Sequence, residues 1–286
     1  MTARVEPNAS VAVIVPTHNR PGSLARCLDA LDRQEGIPEL EVVVVDDGSA
    51  EAATLAAIVA ASTRGRLLRC EQPRGPAAAR NSGARATNAP VLLFTDDDCE
   101  PVRDWAARLS AAVRNGAHAA AGLTGNARPD DVLASASETI LEYVQDRARG
   151  AASTTTFAAT NNLACTANLL AEIPFDEAYR YGEDRDWCAR VLAAGYSLVV
   201  EPNARVFHRQ DLQLTSFLRQ QFGYGRGACR FRRKHAAARR LESPEFYAGL
   251  LRRGFAHGVV PGMLVGIAQA ATAAGFLREA LTRRGV

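Results

Sequence analysis

The sequence predicts an α/β fold built on a parallel sheet with helices on both faces, and three observations predict it. Over the first hundred residues, short β-branched runs alternate with segments whose apolar residues recur at helical spacing. The strand runs are apolar almost without a break, the pattern of strands buried on both faces rather than one. Three of them end in polar clusters, at 16–20, 46–49 and 96–100. In open parallel sheets, ligands sit at the carboxyl ends of strands.

Taken in order, VAVIV (11–15) is the first strand, ended by Pro16. PGSLARCLDALDRQ (21–34) is a helix, with Leu24, Cys27, Leu28 and Leu31 on one side. EVVVVDDGS (41–49) is a second buried strand that stops at two acids and a glycine. EAATLAAIVAAS (51–62) reads as a helix, RLLRC (66–70) as a short strand and PAAARNSGARAT (76–87) as a helix. VLLFTDDDCEP (91–101) is a strand running into three acids. Beyond it the pattern loosens. WAARLSAAVRNG (105–116) predicts a helix, AHAAAGLTGNA (117–127) a strand plus turn, and a further helix falls near 131–149. A Thr/Ala/Asn-rich loop covers 151–162, EDRDWCARVLAAGY (183–196) is a helix closed by Gly195, and SLVVEPNARVFHR (197–209) reads as a strand pair. The expected organisation is a catalytic domain over 1–210, with a nucleotide-binding half at about 10–100 and an acceptor half at about 101–210. A helical extension follows over 211–286.

Composition narrows the class. Of 286 residues, 47% are apolar and 23% charged, enough to bury a core and keep a soluble surface. A net charge of +3 is too small to argue for nucleic acid. The densest basic run, RFRRKHAAARR (230–240), fits a solvated helix face, or a patch for phosphate or anionic lipid. Six scattered cysteines with no C-x-x-C pair and no zinc spacing read as reduced thiols, several of them in the core. MTARVEPNAS carries no apolar leader, so a cytoplasmic location is expected. From Gly254 to Leu277 only His257 can carry charge, and arginines flank both ends. That stretch could form helices broken at Pro261 and packed on the catalytic domain or another subunit. It could also attach peripherally to the inner face of an anionic membrane, or span a bilayer, which takes about 20 apolar residues. The oligomeric state stays open.

Chemistry concentrates at the strand ends. Adjacent carboxylates repel, so Asp96, Asp97 and Asp98 need a cation or water. Mg²⁺ or Mn²⁺ suits such oxygen ligands, and a solvated turn capping the next helix is the alternative. Asp46 could accept a hydrogen bond from a nucleobase N–H, or belong with Asp47 and Gly48 to an ordinary turn. Arg80, early in its helix, could face the same cleft and meet a phosphate or base. Glu183 and Asp184 begin a helix, where acids are favoured by the macrodipole. A carboxylate there could equally take a proton from a sugar-accepting hydroxyl. His208 could ligate a metal, touch a diphosphate, or serve structure alone. On the acceptor side, Thr160, Asn161 and Asn162 lie in the polar loop. Trp187 offers an aromatic face to a sugar or an apolar aglycone, or packs in the core.

With these residues in view, the chain resembles the family 2 glycosyltransferases of the GT-A fold. VAVIVPTHNRPGSLARCLDAL resembles the family's opening strand–turn–helix, VVVVDDGS its second strand, RGPAAARNSGARA its arginine helix and FTDDDCEP its D-x-D site. YGEDRDWCARVLAAGY resembles its E-D motif, and VFH its downstream histidine, all in the family's order over roughly 10 to 230. The resemblance implies the GT-A nucleotide-diphospho-sugar transferase fold, which is Rossmann-like with a mostly parallel central sheet, plus a helical C-terminal tail. It implies an inverting, metal-dependent transfer from a nucleotide-diphosphate sugar, with a UDP-sugar preferred, to an acceptor hydroxyl. Carried over residue by residue, Pro16, Thr17 and His18 line the nucleotide and Asp46 meets the base. Arg80 and Asp97 lie near base and ribose, and Asp96, Asp98 and His208 hold Mg²⁺ or Mn²⁺, Asp98 most directly. Asp184 becomes the general base, with Glu183 beside it. One departure is Cys99, which stands where many members have a further acid. The Q-x-x-R-W motif of processive synthases is missing, FLRQQFGYG (217–225) being the nearest string, which favours single additions. The competing readings are a sugar nucleotidyltransferase, which would need a glycine-rich basic loop after the first strand, and a catalytically inactive nucleotide-sugar binder. A nicotinamide enzyme is disfavoured because no G-x-G-x-x-G follows that strand.

Overall fold

The computed structural model describes residues 10–151, 153–235 and 242–282. The N-terminal residues on which the leader reading rests, and the 236–240 part of the basic run, lie outside them. The chain divides into two compact units that are not continuous in sequence. The first takes the described residues of Met1–Gly125 with Ala148–Ala178 and Asp184–His208. The second takes Asn126–Arg147, Tyr179–Glu183 and the described residues of Arg209–Val286. The second unit thus begins its last segment near the expected boundary at 211, but also draws in two earlier segments.

The first unit opens with β1 (Val11–Thr17), α1 (Pro21–Asp32), β2 (Leu40–Asp47), α2 (Ala52–Ala61), β3 (Gly65–Cys70), α3 (Pro76–Arg85) and β4 (Val91–Phe94). β5 (Cys99–Pro101), α4 (Trp105–Arg114) and β6 (Ala119–Asn126) follow. After the chain returns come a 3₁₀ turn (Thr160–Asn162), β7 (Leu163–Thr166) and, beyond a short helix at Ala167–Glu172, α5 (Glu183–Ala193) and β8 (Leu198–His208). The strands form one sheet in the order β3-β2-β1-β4-β7-β6-β8-β5. β3, β2, β1 and β4 run parallel. β7 is antiparallel to both β4 and β6, and β5 is antiparallel to β8. The expected mostly parallel sheet therefore holds for the first four strands, and the sheet as a whole is mixed.

Strand alternation explains the unbroken apolar runs. Val11, Val13 and Val15 of β1 join one buried cluster with Leu24, Leu28, Leu55, Trp105 and Leu109. Ala12 and Ile14 join the other, with Ala77, Ala79, Leu163, Phe175 and Trp187. Both faces are covered, so the strand stays apolar until Thr17 at its carboxyl end. On the second face α3 lies close because its contacts are small: a Cβ on Gly83 would sit 2.5 Å from Ile14 Cγ2. Pro21 and Pro76 open α1 and α3, where a missing N–H costs nothing. Residues 197–209, expected as a strand pair, form the single strand β8. Its Glu-Pro-Asn stretch looks like a turn in sequence, but here it is extended backbone with Pro202 and Asn203 exposed.

The second unit is helical, with α6 (Val132–Ala148), α7 (Leu214–Lys234), α8 (Pro244–Ala256) and α9 (Val259–Thr282). Ala136, Phe217, Leu250, Val265 and Ala268 form its core. α7 and α9 approach backbone to backbone: a Cβ on Gly225 would lie 1.9 Å from the Thr272 carbonyl oxygen, and one on Gly275 2.0 Å from that of Phe222. Glu279 of α9 is buried and accepts from Arg226 Nε at 2.9 Å and Arg230 Nε at 2.8 Å. α9 is long and apolar enough to cross a membrane by length and composition. The break expected at Pro261 falls earlier, at His257-Gly258, where Gly258 has φ +122°. Pro261 instead sits in the first turn of α9, which tolerates proline.

Candidate functional site

The three acids follow β4 directly. The Thr95 amide still bonds to the Ile14 carbonyl, then the chain turns, closed by Cys99 N to the Asp96 carbonyl at 3.1 Å. Two arginines hold the carboxylates. Arg80 Nη2 donates to Asp96 at 2.5 Å, and Arg20 Nη1 donates to Asp97 at 3.2 Å and Asp98 at 2.8 Å. Thr17 Oγ1 adds a bond to Asp97 at 2.7 Å. The β5–β8 register pairs Cys99 with His208, which sets His208 Nε2 3.2 Å from Asp98 Oδ1. Asp98, Cys99 and His208 each offer an atom within 4.8 Å of the other two. The cation that three adjacent acids demand is thus supplied here in part by guanidinium groups, which composition alone could not show.

The carboxylates differ electrically. Burial pushes Asp97 up to about 7, against the pull of Arg20. Asp98 is a little more open, and the imidazole of His208 and then Arg20 outweigh its burial and bring it down to about 2. Asp98 is therefore a firm anion at neutral pH. Burial first, and the nearby carboxylates second, raise the Cys27 and Cys99 thiols well above their ordinary range. Cys99 enters the turn as a neutral thiol rather than a substitute acid. A carboxylate and an imidazole this close make an oxygen–nitrogen donor pair for a divalent cation, in which the carboxylate is the donor suited to Mn²⁺ or Mg²⁺ and the imidazole favours a transition metal. Asp96, turned to Arg80, stands apart from that pair.

The end of β2 is held just as firmly. Asp46 is fully enclosed; its carboxylate accepts from Ser49 N at 2.9 Å and from the Arg69 guanidinium. Asp47 accepts from Arg74 N at 2.8 Å and Gly75 N at 2.7 Å, which fixes the loop entering α3. His18 Nδ1 lies 2.8 Å from the Asp47 carbonyl. Asn19, at φ +56°, ties the loops after β1 and β2 through Ser49 Oγ and Ala50 N, both at 2.8 Å. Pro16 is the last but one residue of β1, opposite Val45. The Asp46 carboxylate is thus bonded within the chain, through Ser49 and Arg69. Asp46→Ala should cost about 1–3 kcal/mol, the penalty for orphaning the buried Ser49 amide, Arg69 being exposed to solvent. Calorimetry should read this as a melting temperature lowered by several degrees, and an unchanged value would mean that solvent replaces both bonds.

Asp184 is half-buried at the start of α5, where Oδ1 accepts from Arg185 N at 2.7 Å; Glu183 is buried. Asp186 is fully buried and paired with Arg190 Nε at 2.7 Å. The acceptor-side expectations need correction. Trp187 has no exposed surface, donates to the Ile173 carbonyl at 2.7 Å and packs 5.5 Å from the Phe175 ring. It is a core residue because α5 turns it onto the sheet. Asn161 and Asn162 are buried too. Asn162 accepts from Trp105 Nε1 at 2.8 Å and donates to the Leu123 and Ala204 carbonyls, and Asn161 accepts from Thr124 at 3.2 Å. Asn162 thereby ties β6 to β8, and Asn161 anchors the 3₁₀ turn to β6.

Residues 12–166, more than half of the chain, match the family model for glycosyl transferase family 2. The chain belongs to glycosyltransferase family 2. The chain is 29% identical over 231 residues to a pre-mycofactocin glycosyltransferase of Mycobacterium tuberculosis, covering 79% of this chain and 48% of the relative. It is 28% identical over 222 residues to glycosyltransferase AglE of Haloferax volcanii, with 76% and 72% covered. The chain thus spans about half the length of the mycobacterial relative. Among solved structures, the mannosyltransferase PcManGT of Pyrobaculum calidifontis, in complex with GDP-Man and Mn²⁺, superposes with a TM-score of 0.61 at 20% identity, covering 95% of this chain and 77% of that one. TarS 1-349 of S. aureus in complex with UDP gives 0.56 at 16%, with 97% and 92% covered. The fold is GT-A with a helical tail.

Within the chain, Thr17, Asp46, Arg80 and the three acids fall inside the matched span, and Asp184 and His208 beyond it. Sequence reasoning did not single out Arg20, Arg69 or the capping role of Asp47. Arg20 had a signal, since it closes the polar segment 16–20 after β1. Arg69 had none, lying in a strand whose neighbour fixes its partner only through register.

Proposed function

We propose that this chain moves a glycosyl group from a nucleoside-diphosphate sugar, a UDP-sugar by preference, to an acceptor hydroxyl with inversion at the anomeric carbon. The observation that carries the reading is the Asp96–Asp98 turn at the end of β4, with His208 brought to Asp98 at 3.2 Å. In this reading the nucleotide lies over the ends of β1 and β2, lined by Pro16, Thr17 and His18, and its diphosphate reaches the acid turn. The base meets the Asp46–Arg69 pair, and an N–H of uracil bonds to Asp46 once Arg69 yields an oxygen. Asp96 and Asp97, with Arg80, border the ribose and diphosphate.

Asp98 and His208 would hold the divalent cation, with Asp96 at its margin through Arg80. When bound, such an ion acts as a Lewis acid that stabilises the departing diphosphate. Arg20 supplies positive charge to the same carboxylates from within the chain. Asp184 takes the proton from the acceptor hydroxyl, Glu183 adjoining it in α5. As the acceptor oxygen bonds to the anomeric carbon, the bond from that carbon to the diphosphate oxygen breaks. A screen of UDP-, GDP- and dTDP-sugars by thermal shift tests the donor, since a ligand bound only to the folded chain raises the melting temperature. The expected result is the largest rise with UDP-sugars, and slow metal-dependent release of UDP. Binding without release would leave a nucleotide-sugar binder, and no shift with any donor would end the reading.

A further inference from the structure

The two sides of α9 are made for different partners. One side packs on α7 through Gly225, Thr272 and Gly275, at separations that leave no room for a side chain. Thr272 Oγ1 also bonds to the Gln221 carbonyl at 3.3 Å, and Glu279 is locked by two arginines. That side is committed within the unit. The other side is exposed from end to end. Val260, Met263 and Ile267 lead it, Ala270 and Ala274 form its middle, and Leu277 and Leu281 close it. Their spacing alternates three and four residues through three heptads. A strict alternation of this kind is the narrow seam by which one helix meets another, and a core-facing stripe is broader.

A lipid surface suits the seam poorly. Helices that lie in a membrane interface carry a strongly charged, Lys/Arg-rich opposite face. The only charged residues of α9 are Arg278 and Glu279, and Glu279 is buried. A second α9 suits it well. The seam is uncharged and its small residues, Ala270 and Ala274, stand at the centre with larger ones on both sides, so two copies can close on each other about that centre. With Phe255 and Val259 at the elbow, the large side chains on this surface are between 44% and 69% exposed. Their combined area is of the order of the ~800 Å² per partner that a standard interface buries.

We propose that this seam is the interface with a second copy of the chain, formed by two α9 helices running antiparallel. The order of the strands in the pair follows from Arg278, the one exposed charge on the helix. A parallel pair sets two arginines side by side across the seam, where like charges repel; an antiparallel pair parts them to opposite ends of a helix about 36 Å long. The N-terminal half of one helix then faces the C-terminal half of the other.

Light scattering on the full chain tests this directly. The parent should elute at twice the monomer mass, and Ile267→Glu at the monomer mass with unchanged far-ultraviolet circular dichroism, because the position is exposed within one chain. Met263→Glu and Leu277→Lys should each be monomeric alone and dimeric when mixed in equal amounts. A parent chain that stays monomeric at its highest soluble concentration overturns the proposal. So does a dimer that survives both Ile267→Glu and Leu277→Lys, and a mixture that stays monomeric overturns the antiparallel order. Co-flotation of a monomeric parent with vesicles of anionic lipid would give the seam to a membrane and equally reject a second copy.

Discussion

Asp184→Asn should lower glycosyl transfer by about 10²- to 10⁴-fold, the usual loss when a general base is removed, and leave donor affinity unchanged. The amide has nearly the shape of the carboxylate but cannot accept the acceptor's proton. Its oxygen can still receive the Arg185 amide, so the first turn of α5 keeps its bond and the chain keeps its melting temperature. The separation of effects is what makes the test sharp. Transfer should fall, whereas nucleotide-sugar binding by calorimetry should not, because a base in the proposed role meets only the acceptor. Retained transfer in the variant would return Asp184 to the role of a helix-starting acid, and lost nucleotide binding would move it to the donor side.

Removal of divalent cations should abolish donor turnover, and addition of Mn²⁺ or Mg²⁺ should restore it. The carboxylate best placed to hold the ion is Asp98, since His208 and Arg20 keep it charged to about pH 2 in spite of its burial. Asp98→Ala removes that anion and leaves His208 facing Arg20 without the charge between them. The variant should bind Mn²⁺ more weakly, by calorimetry on the chain alone, and no excess of metal in the parent's working range should rescue it. Full turnover of the parent in chelator would show that Arg20 and Arg80 carry the diphosphate charge unaided.

The first hundred residues of the fold were legible because their strands are covered on both sides. Burial on two faces leaves a run such as EVVVVDDGS with no competing interpretation, and the helices between such runs show their period plainly. The short strands were not legible. β5 has three residues and β7 four, too few for any periodicity, and each exists only because a neighbouring strand supplies its hydrogen bonds. The acids at 96–98 were legible as a cluster, and the role of Arg20 was not, since its contact spans 77 and 78 residues and depends on the loop after β1. Trp187 shows the converse. An aromatic residue near a predicted site invites a ligand, yet whether its ring faces solvent or sheet depends on which way α5 is rolled, and the sequence of that helix carries polar residues on several sides.

The sealed thiols turn the chain into its own gauge of motion. Cys27, Cys99, Cys165, Cys188 and Cys229 are buried, and Cys70 alone is partly open, at the end of β3. Alkylating reagents attack the thiolate, and burial holds Cys188 up at about 12 and Cys27 and Cys99 well above their ordinary range. Iodoacetamide should therefore modify Cys70 first, and the others only as fast as the surrounding structure lets them out. Cys27 and Cys99 flank the acid turn, Cys27 Sγ lying 3.5 Å from the Asp96 carbonyl. Their labelling rate times the breathing of the acid turn itself, whereas Cys229 times that of the helical unit, and a donor that clamps the turn should slow the first clock and not the second.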